Sequence, residues 1–154
     1  MKFSILVIDD EKNIREGLAM ALEDEGYEVI TADNGKTGLD IALKDEVDLV
    51  ITDLKMPEIS GEEVLREVIS KTPGVPVIVL TGHGTVETAV EAMRMGAYDF
   101  LTKPLDLERL FLLVKRALQN RALVLQNRAL LHDIETKQSF ENIIGKSPLM
   151  EKVF

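Results

Sequence analysis

With 154 residues, 45% of them hydrophobic, the chain is long enough for one buried core plus an appendage and too short for two full domains. Its 27 acidic and 18 basic residues leave a formal net charge of -9, which disfavours a nucleic-acid backbone as partner and favours cations and basic surfaces. Cysteine is absent, which excludes a disulfide frame or a thiolate metal site, and the lack of a long apolar run or signal pattern makes a soluble cytoplasmic protein without membrane contact the expectation.

Apolar runs rich in β-branched residues recur at 3–8, 27–31, 49–52, 75–80 and 98–101 and predict five short strands. Between them lie stretches of helical period, such as Ile14, Leu18, Ala21 and Leu22 in the first and Ala89, Val90 and Met93 in the fourth. Gly26 stops the first helix, Thr85 with Thr88 opens the fourth, and Gly96 closes it at a left-handed cap. This alternation predicts an α/β fold, a doubly wound (βα)5 parallel sheet with helices on both faces. The runs FSILVI, LVIT and VPVIVL are continuously apolar, as strands covered on both faces should be, whereas 27–31 alternates and is the edge candidate.

Beyond Pro104, the residues Leu107, Leu110, Phe111, Val114 and Leu118 predict a helix that continues past the domain's end. Residues 118–131 hold a heptad duplication, LQNRALV followed by LQNRALL. Leu118 and Leu125 at d with Ala122 and Ala129 at a form a two-heptad coiled-coil signal, the alternative being a linker helix leaning on its own domain. The added apolar surface of Leu123, Val124, Leu130 and Leu131 favours a dimer seam, which Lys115 and His132 weaken at its two ends. Thr136 to Ser139 is a polar linker, and from Phe140 to Phe154 the composition is mixed apolar again. The expected division is thus 1–120, a helical segment 121–138, and the opening of a further domain at 139–154. Gly145-Lys146-Ser147 resembles the end of a phosphate-binding loop, but Phe140 stands where its first glycine is needed and Pro148 interrupts the segment after it, so no nucleotide site is expected there.

The chemistry centres on LVITDLKMP, in which Asp53 ends an apolar strand at the sheet edge where open α/β folds bind ligands. Asp9 and Asp10 end the first strand, so three carboxylates converge, an oxygen-only set suited to a hard cation such as Mg²⁺. The plain alternative, a helix N-cap, accounts for one of the paired acids and not for all three. Thr81 and Lys103 end two further strands. Alone they are a strand-end cap and a surface lysine; together with the acids they describe a phosphoryl site.

The motifs DD, DLKMP, TGHG and KP, in this order over residues 2–120, resemble the receiver domain of two-component response regulators. The resemblance implies the flavodoxin-like strand order 2-1-3-4-5 with an extended C-terminal helix. It implies that Asp53 is the phosphoacceptor, that Asp10 binds Mg²⁺ directly and Asp9 mostly through water, and that the Lys55 backbone carbonyl completes the protein ligands. It further implies that Lys103 pairs with the Asp53 carboxylate or phosphoryl group, that Thr81 is the switch hydroxyl and Phe100 the switch aromatic, and that Lys103-Pro104 is cis. Phe100 stands where many receivers have tyrosine, so a hydrogen bond from that ring is lost. Movement of Thr81 would let Phe100 turn and change the face made by the fourth helix, fifth strand and fifth helix. Gly82 leaves the pocket open, and Lys55 and His83 are placed to affect water attack, with His83 more simply a loop histidine. By the same resemblance Ile14, Arg15 and Leu18 are where a kinase docks.

The last stretch, ENIIGKSPLMEKVF, resembles the opening of the AAA+ ATPase domain of NtrC-type, sigma-54-dependent activators. The implied partners are a sensor histidine kinase, the attached ATPase and a second copy of the chain, through the linker helix or the face around the fifth strand. The implied role is a phosphorylation switch in transcription regulation rather than an enzyme. One rival is a Mg²⁺-dependent phosphohydrolase with an Asp nucleophile, against which Lys55 stands where a second catalytic acid is needed. Another is a dimerisation module with a dead site, against which the intact set of Asp9, Asp10, Asp53, Thr81 and Lys103 argues.

Overall fold

The computed structural model describes residues 2–82 and 86–143, with side chains as far as Asn127 apart from that of Val86. Five strands, β1 (Ser4–Ile8), β2 (Glu28–Ala32), β3 (Leu49–Asp53), β4 (Val77–Thr81) and β5 (Asp99–Thr102), alternate with five helices, α1 (Lys12–Asp24), α2 (Gly35–Lys44), α3 (Gly61–Lys71), α4 (Val86–Met95) and α5 (Leu107–Ile143). All pairings are parallel and the order is β2-β1-β3-β4-β5, the expected flavodoxin-like arrangement. Every residue of β3 and β4 is buried, as their unbroken apolar runs require, and β2 lies at an edge. β4 begins two residues later than the sequence predicts. Pro76 has no N–H to give the ladder and joins it only as an acceptor, from Val50 N–H at 3.0 Å.

Local chemistry sets the helix ends. The Asn34 side chain accepts from Thr37 N–H at 2.8 Å, Ser60 from Glu63 N–H at 3.3 Å and Asp106 from Glu108 N–H at 3.1 Å, each satisfying a donor in the first turn of its helix. Gly26 and Gly96 take the left-handed conformation at φ 98° and 110° and terminate α1 and α4, as predicted. Thr85 lies outside the described residues, and Thr88 falls inside the first turn of α4.

Two apolar cores sandwich the sheet. One joins Ile5, Val7, Leu49, Ile51, Ile78 and Leu80 to Leu18 and Leu22 of α1 and to Leu110, Leu113, Val114, Ala117 and Leu118 of α5. The other joins Leu6, Ile8, Val50, Val77 and Val79 to α2, α3 and α4 through Ala42, Val64, Leu65, Val68 and Ala92. Each large aliphatic side chain buried here is worth about 1.5–3 kcal/mol.

The chain divides into two compact units, Met1–Arg121 and Ala122–Phe154. Leu118 corrects one expectation. Rather than opening a dimer seam it is 2% exposed in the first unit's core, where it ends the stripe Leu110, Leu113, Val114, Ala117 and Leu118 at spacings of three, one, three and one. Leu125, its heptad equivalent, is 39% exposed. The second unit is helical from Ala122 to Ile143. The side chains of Ala129, Leu130, Leu131 and His132 and all of Gly145-Lys146-Ser147 lie outside the described residues. Among the described residues no helix is long and apolar enough to cross a membrane.

Candidate functional site

Parallel strands send all their C-terminal ends to one edge, and four of those ends carry the polar residues singled out in the sequence. Asp9 follows β1, Asp53 is the last residue of β3, Thr81 the last of β4, and Lys103 follows β5. The Lys103 ammonium donates a hydrogen bond to Asp53 Oδ2 at 3.1 Å and lies 3.2 Å from Asp9 Oδ2 and 3.8 Å from Glu11 Oε1. One carboxylate oxygen from each of Asp9, Asp10 and Asp53 falls within 4.8 Å of the others. Asp9 and Asp53 are buried and Asp10 is exposed.

Asp9 does two jobs. Its Oδ1 accepts from Glu11 N–H at 2.9 Å, a local turn just before α1; the N-cap of that helix is Glu11, without a side-chain cap hydrogen bond, so the N-cap role expected for one of the paired acids is not seen. Its Oδ2 is buried and receives no well-directed hydrogen bond, although the ammonium is near. Burial pushes the Asp9 carboxyl above its ordinary range, the Glu11 N–H works against that, the charge of Asp53 adds to it, and the net shift is upward. For Lys103 burial pulls the other way, but the hydrogen bond and charge of Asp53, with Asp9 behind them, outweigh it and raise its pKa. Three carboxylates around this ammonium leave an excess of negative charge and a buried oxygen in want of a partner. The all-oxygen donor set fits a hard divalent cation.

Thr81 is buried, and its hydroxyl makes no hydrogen bond. Its carbonyl accepts from Lys103 N–H at 2.8 Å, so the backbones of these two residues are tied together. Lys55 has an exposed side chain, and its N–H lies 3.4 Å from Asp53 Oδ1. Phe100, opposite Val79 on β5, is half-buried against the core beneath α2, α3 and α4. The Lys103-Pro104 peptide is cis, as expected. His83 lies outside the described residues, while a methyl group at Gly82 would meet nothing within 4 Å.

Two neighbours of the site were not anticipated. Glu11 approaches the ammonium, and Arg15 Nη1 donates to the backbone carbonyl of Asp9 at 3.0 Å. Position in the motif was the available signal for Glu11, which directly follows the Asp pair. For Arg15 nothing but the fold shows it.

Comparison with known proteins agrees with this geometry. The chain is 42% identical over 151 residues to the C4-dicarboxylate transport transcriptional regulatory protein DctD of Pseudomonas aeruginosa, covering 97% of this chain and 32% of that one. It is 40% identical over 146 residues to the regulatory protein AtoC of Escherichia coli, covering 95% and 32%. A crystal structure of a response regulator receiver domain protein from Clostridium thermocellum matches with a TM-score of 0.76 and 41% identity, over 79% of this chain and 98% of that one. The curated relatives are NtrC-type sigma-54 activators, and the chain spans about a third of their length. Receiver domains act as switches rather than as classical enzymes. The family model for the response regulator receiver domain matches residues 5–115, from within β1 to within α5, so all four strand ends that carry Asp9, Asp53, Thr81 and Lys103 fall inside it, and the chain belongs to the response regulator receiver domain family.

Proposed function

We propose that Asp53 accepts a phosphoryl group from a sensor histidine kinase and that this chain is the phosphorylation-controlled receiver of a sigma-54-dependent activator. The observation that carries the reading is the Lys103 ammonium held between the buried carboxylates of Asp53 and Asp9, beside a buried Thr81 hydroxyl with no partner. Such a site has a nucleophile, a countercharge and an idle donor, and needs the acceptor oxygens that a phosphoryl group brings. Lys103 engages Asp53 Oδ2, which leaves Oδ1, with only its long contact to Lys55 N–H, as the attacking oxygen. A bond forms from that oxygen to phosphorus as the phosphorus–nitrogen bond to the donor imidazole breaks, and the released ring nitrogen keeps the electron pair and takes a proton from solvent. Asp9, Asp10, Asp53 and the Lys55 carbonyl would hold Mg²⁺, which when bound neutralises charge on the transferring group. Lys103 adds to that neutralisation, and Thr81 donates to the bound phosphoryl group. Phe100 then turns toward the vacated space and alters the surface of α4, β5 and α5.

We further propose that residues 1–120 are the receiver, 121–138 a helical linker and 139–154 the first residues of an AAA+ ATPase domain whose assembly the receiver controls, as a homodimer in the cytoplasm. This segment contacts neither nucleic acid nor membrane, as its net charge of -9 favours. Intact mass after incubation with Mg²⁺ and acetyl phosphate tests the core of the proposal, with Asp53→Ala as reference. A phosphoryl adduct in wild type alone is expected. Rapid donor turnover without an adduct would point to a phosphohydrolase, and neither adduct nor turnover to a dimerisation module with a dead site.

A further inference from the structure

The backbone makes an unusually close approach directly beneath the nucleophile. Gly61, the first residue of α3, is buried against the end of β3, and its N–H donates to the Leu54 carbonyl at 3.0 Å. A Cβ placed on Gly61 would lie 2.1 Å from the Asp53 carbonyl oxygen, 2.7 Å from Leu54 Cα and 2.8 Å from the Asp53 carbonyl carbon. All three are backbone atoms, so no side-chain rotation relieves the overlap. Its φ lies outside the left-handed range, and the need for glycine is one of space rather than of conformation.

Other crowded glycines differ. A Cβ on Gly38 would meet side-chain atoms of Ile8, one on Gly96 the end of the Ile69 side chain, and one on Gly35 the Ile59 carbonyl oxygen at 2.6 Å, a backbone atom but not one of the Asp53 peptide. Only at Gly61, among the described glycines, does the crowding fall on the peptide that carries Asp53. The loop from Leu54 to Ser60 has little slack. Glu58 is held at φ 69°, a left-handed conformation costly for a non-glycine residue, and Ser60 is fixed as the N-cap of α3. A methyl group at position 61 must therefore move either the start of α3 or the Asp53–Leu54 peptide, and the latter carries the carboxylate held 3.1 Å from Lys103.

We infer that Gly61 is a positioning residue for phosphoryl transfer: its missing side chain lets α3 seat the Asp53 backbone where the carboxylate meets Lys103 and the acids of β1. The inference rests on Asp53 being the phosphoacceptor. The test compares wild type, Gly61→Ala and Gly96→Ala, the last straining a left-handed cap away from the site. Phosphoryl uptake from acetyl phosphate with Mg²⁺ is followed by mass at a temperature where circular dichroism shows each protein folded. Gly61→Ala is expected to slow uptake by about 10- to 100-fold, the scale of a sub-ångström to 1 Å misplacement. Gly96→Ala is expected to lower the melting temperature and keep the wild-type rate. Amide spectra without donor give a second readout, in which the Asp53 and Leu54 N–H signals shift in Gly61→Ala. Should Gly61→Ala not fold, adding Glu58→Gly frees the loop, and the double variant is expected to fold with uptake still below wild type. Wild-type uptake by folded Gly61→Ala, or equal slowing in Gly96→Ala, overturns this inference alone. A wild type that takes up no phosphoryl group overturns the parent reading and this one with it.

Discussion

At the C-terminal edge of the sheet, the carboxylates of Asp9, Glu11 and Asp53 gather around Lys103, with one buried carboxylate oxygen and one buried hydroxyl left without hydrogen bonds. At the N-terminal edge, one carboxylate, Asp48, accepts from Ser4 N–H at 2.9 Å and lies 3.7 Å from Arg121 Nε, while Arg121 Nη1 donates to the Gly74 carbonyl at 3.3 Å. The second arrangement balances charge one to one, although Arg121 Nε is itself buried without a hydrogen bond, and it joins the start of β1, the approaches to β3 and β4, and the last residue of the first unit. The first arrangement is in deficit. Strand ends that only hold a fold together settle their charges internally, whereas those that wait for a ligand keep a surplus, and that surplus costs stability.

Three substitutions sharpen or break that contrast. The largest effect is expected from Lys103→Ala, which removes the countercharge at Asp53 and should slow phosphoryl uptake by about 10²-fold. Uptake within a few fold of wild type would mean that the ammonium serves only to offset the buried acids. Next is Arg121→Ala at the opposite edge, which should lower unfolding free energy in denaturant by about 2 kcal/mol, the scale of a hydrogen-bonded charged group. Its uptake rate should stay at the wild-type value, and a slowed rate would show that the two edges are coupled.

The smallest effect, and one of opposite sign, is expected from Asp9→Asn. The folded-state pKa of Asp9 is raised above its ordinary 3.8, chiefly by burial. The stability this carboxyl contributes is therefore fully present below 3.8 and lost as pH rises through the folded value. The asparagine variant escapes that loss and should be more stable than wild type at neutral pH by about 1 kcal/mol in a chelating buffer. Its advantage should shrink as the solution is acidified. A variant less stable than wild type at neutral pH would show that the pairing of Asp9 with Lys103 outweighs the burial of its charge.

Much of this molecule is legible in the chain because its signals are local. The unbroken runs around Leu6, Val50 and Ile78 give central strands, Gly26 and Gly96 give helix ends, and parallel strands then bring Asp9, Asp53, Thr81 and Lys103 to one edge. What escaped depends on tertiary neighbours. Leu118 and Leu125 are the same letter in a repeated heptad, yet one lies in the core and the other is 39% exposed, since a repeat cannot say where the sheet beneath it ends. Arg121 and Asp48 are residue types that usually face water, and only the folded chain makes them partners. Gly61 has a local marker, because Ser60 with Glu63 three residues later announces a helix start. Its closeness to Asp53 has none.

The bond from Lys103 N–H to the Thr81 carbonyl bears on how a change at Asp53 could travel. Sliding the end of β4 would break that rung of the ladder, whereas turning the Thr81 side chain breaks no bond, since its hydroxyl holds none. Under the proposed function the earliest response is then a torsion of about 120° between staggered wells, with the sheet standing still as the reference frame against which α4 and Phe100 rearrange.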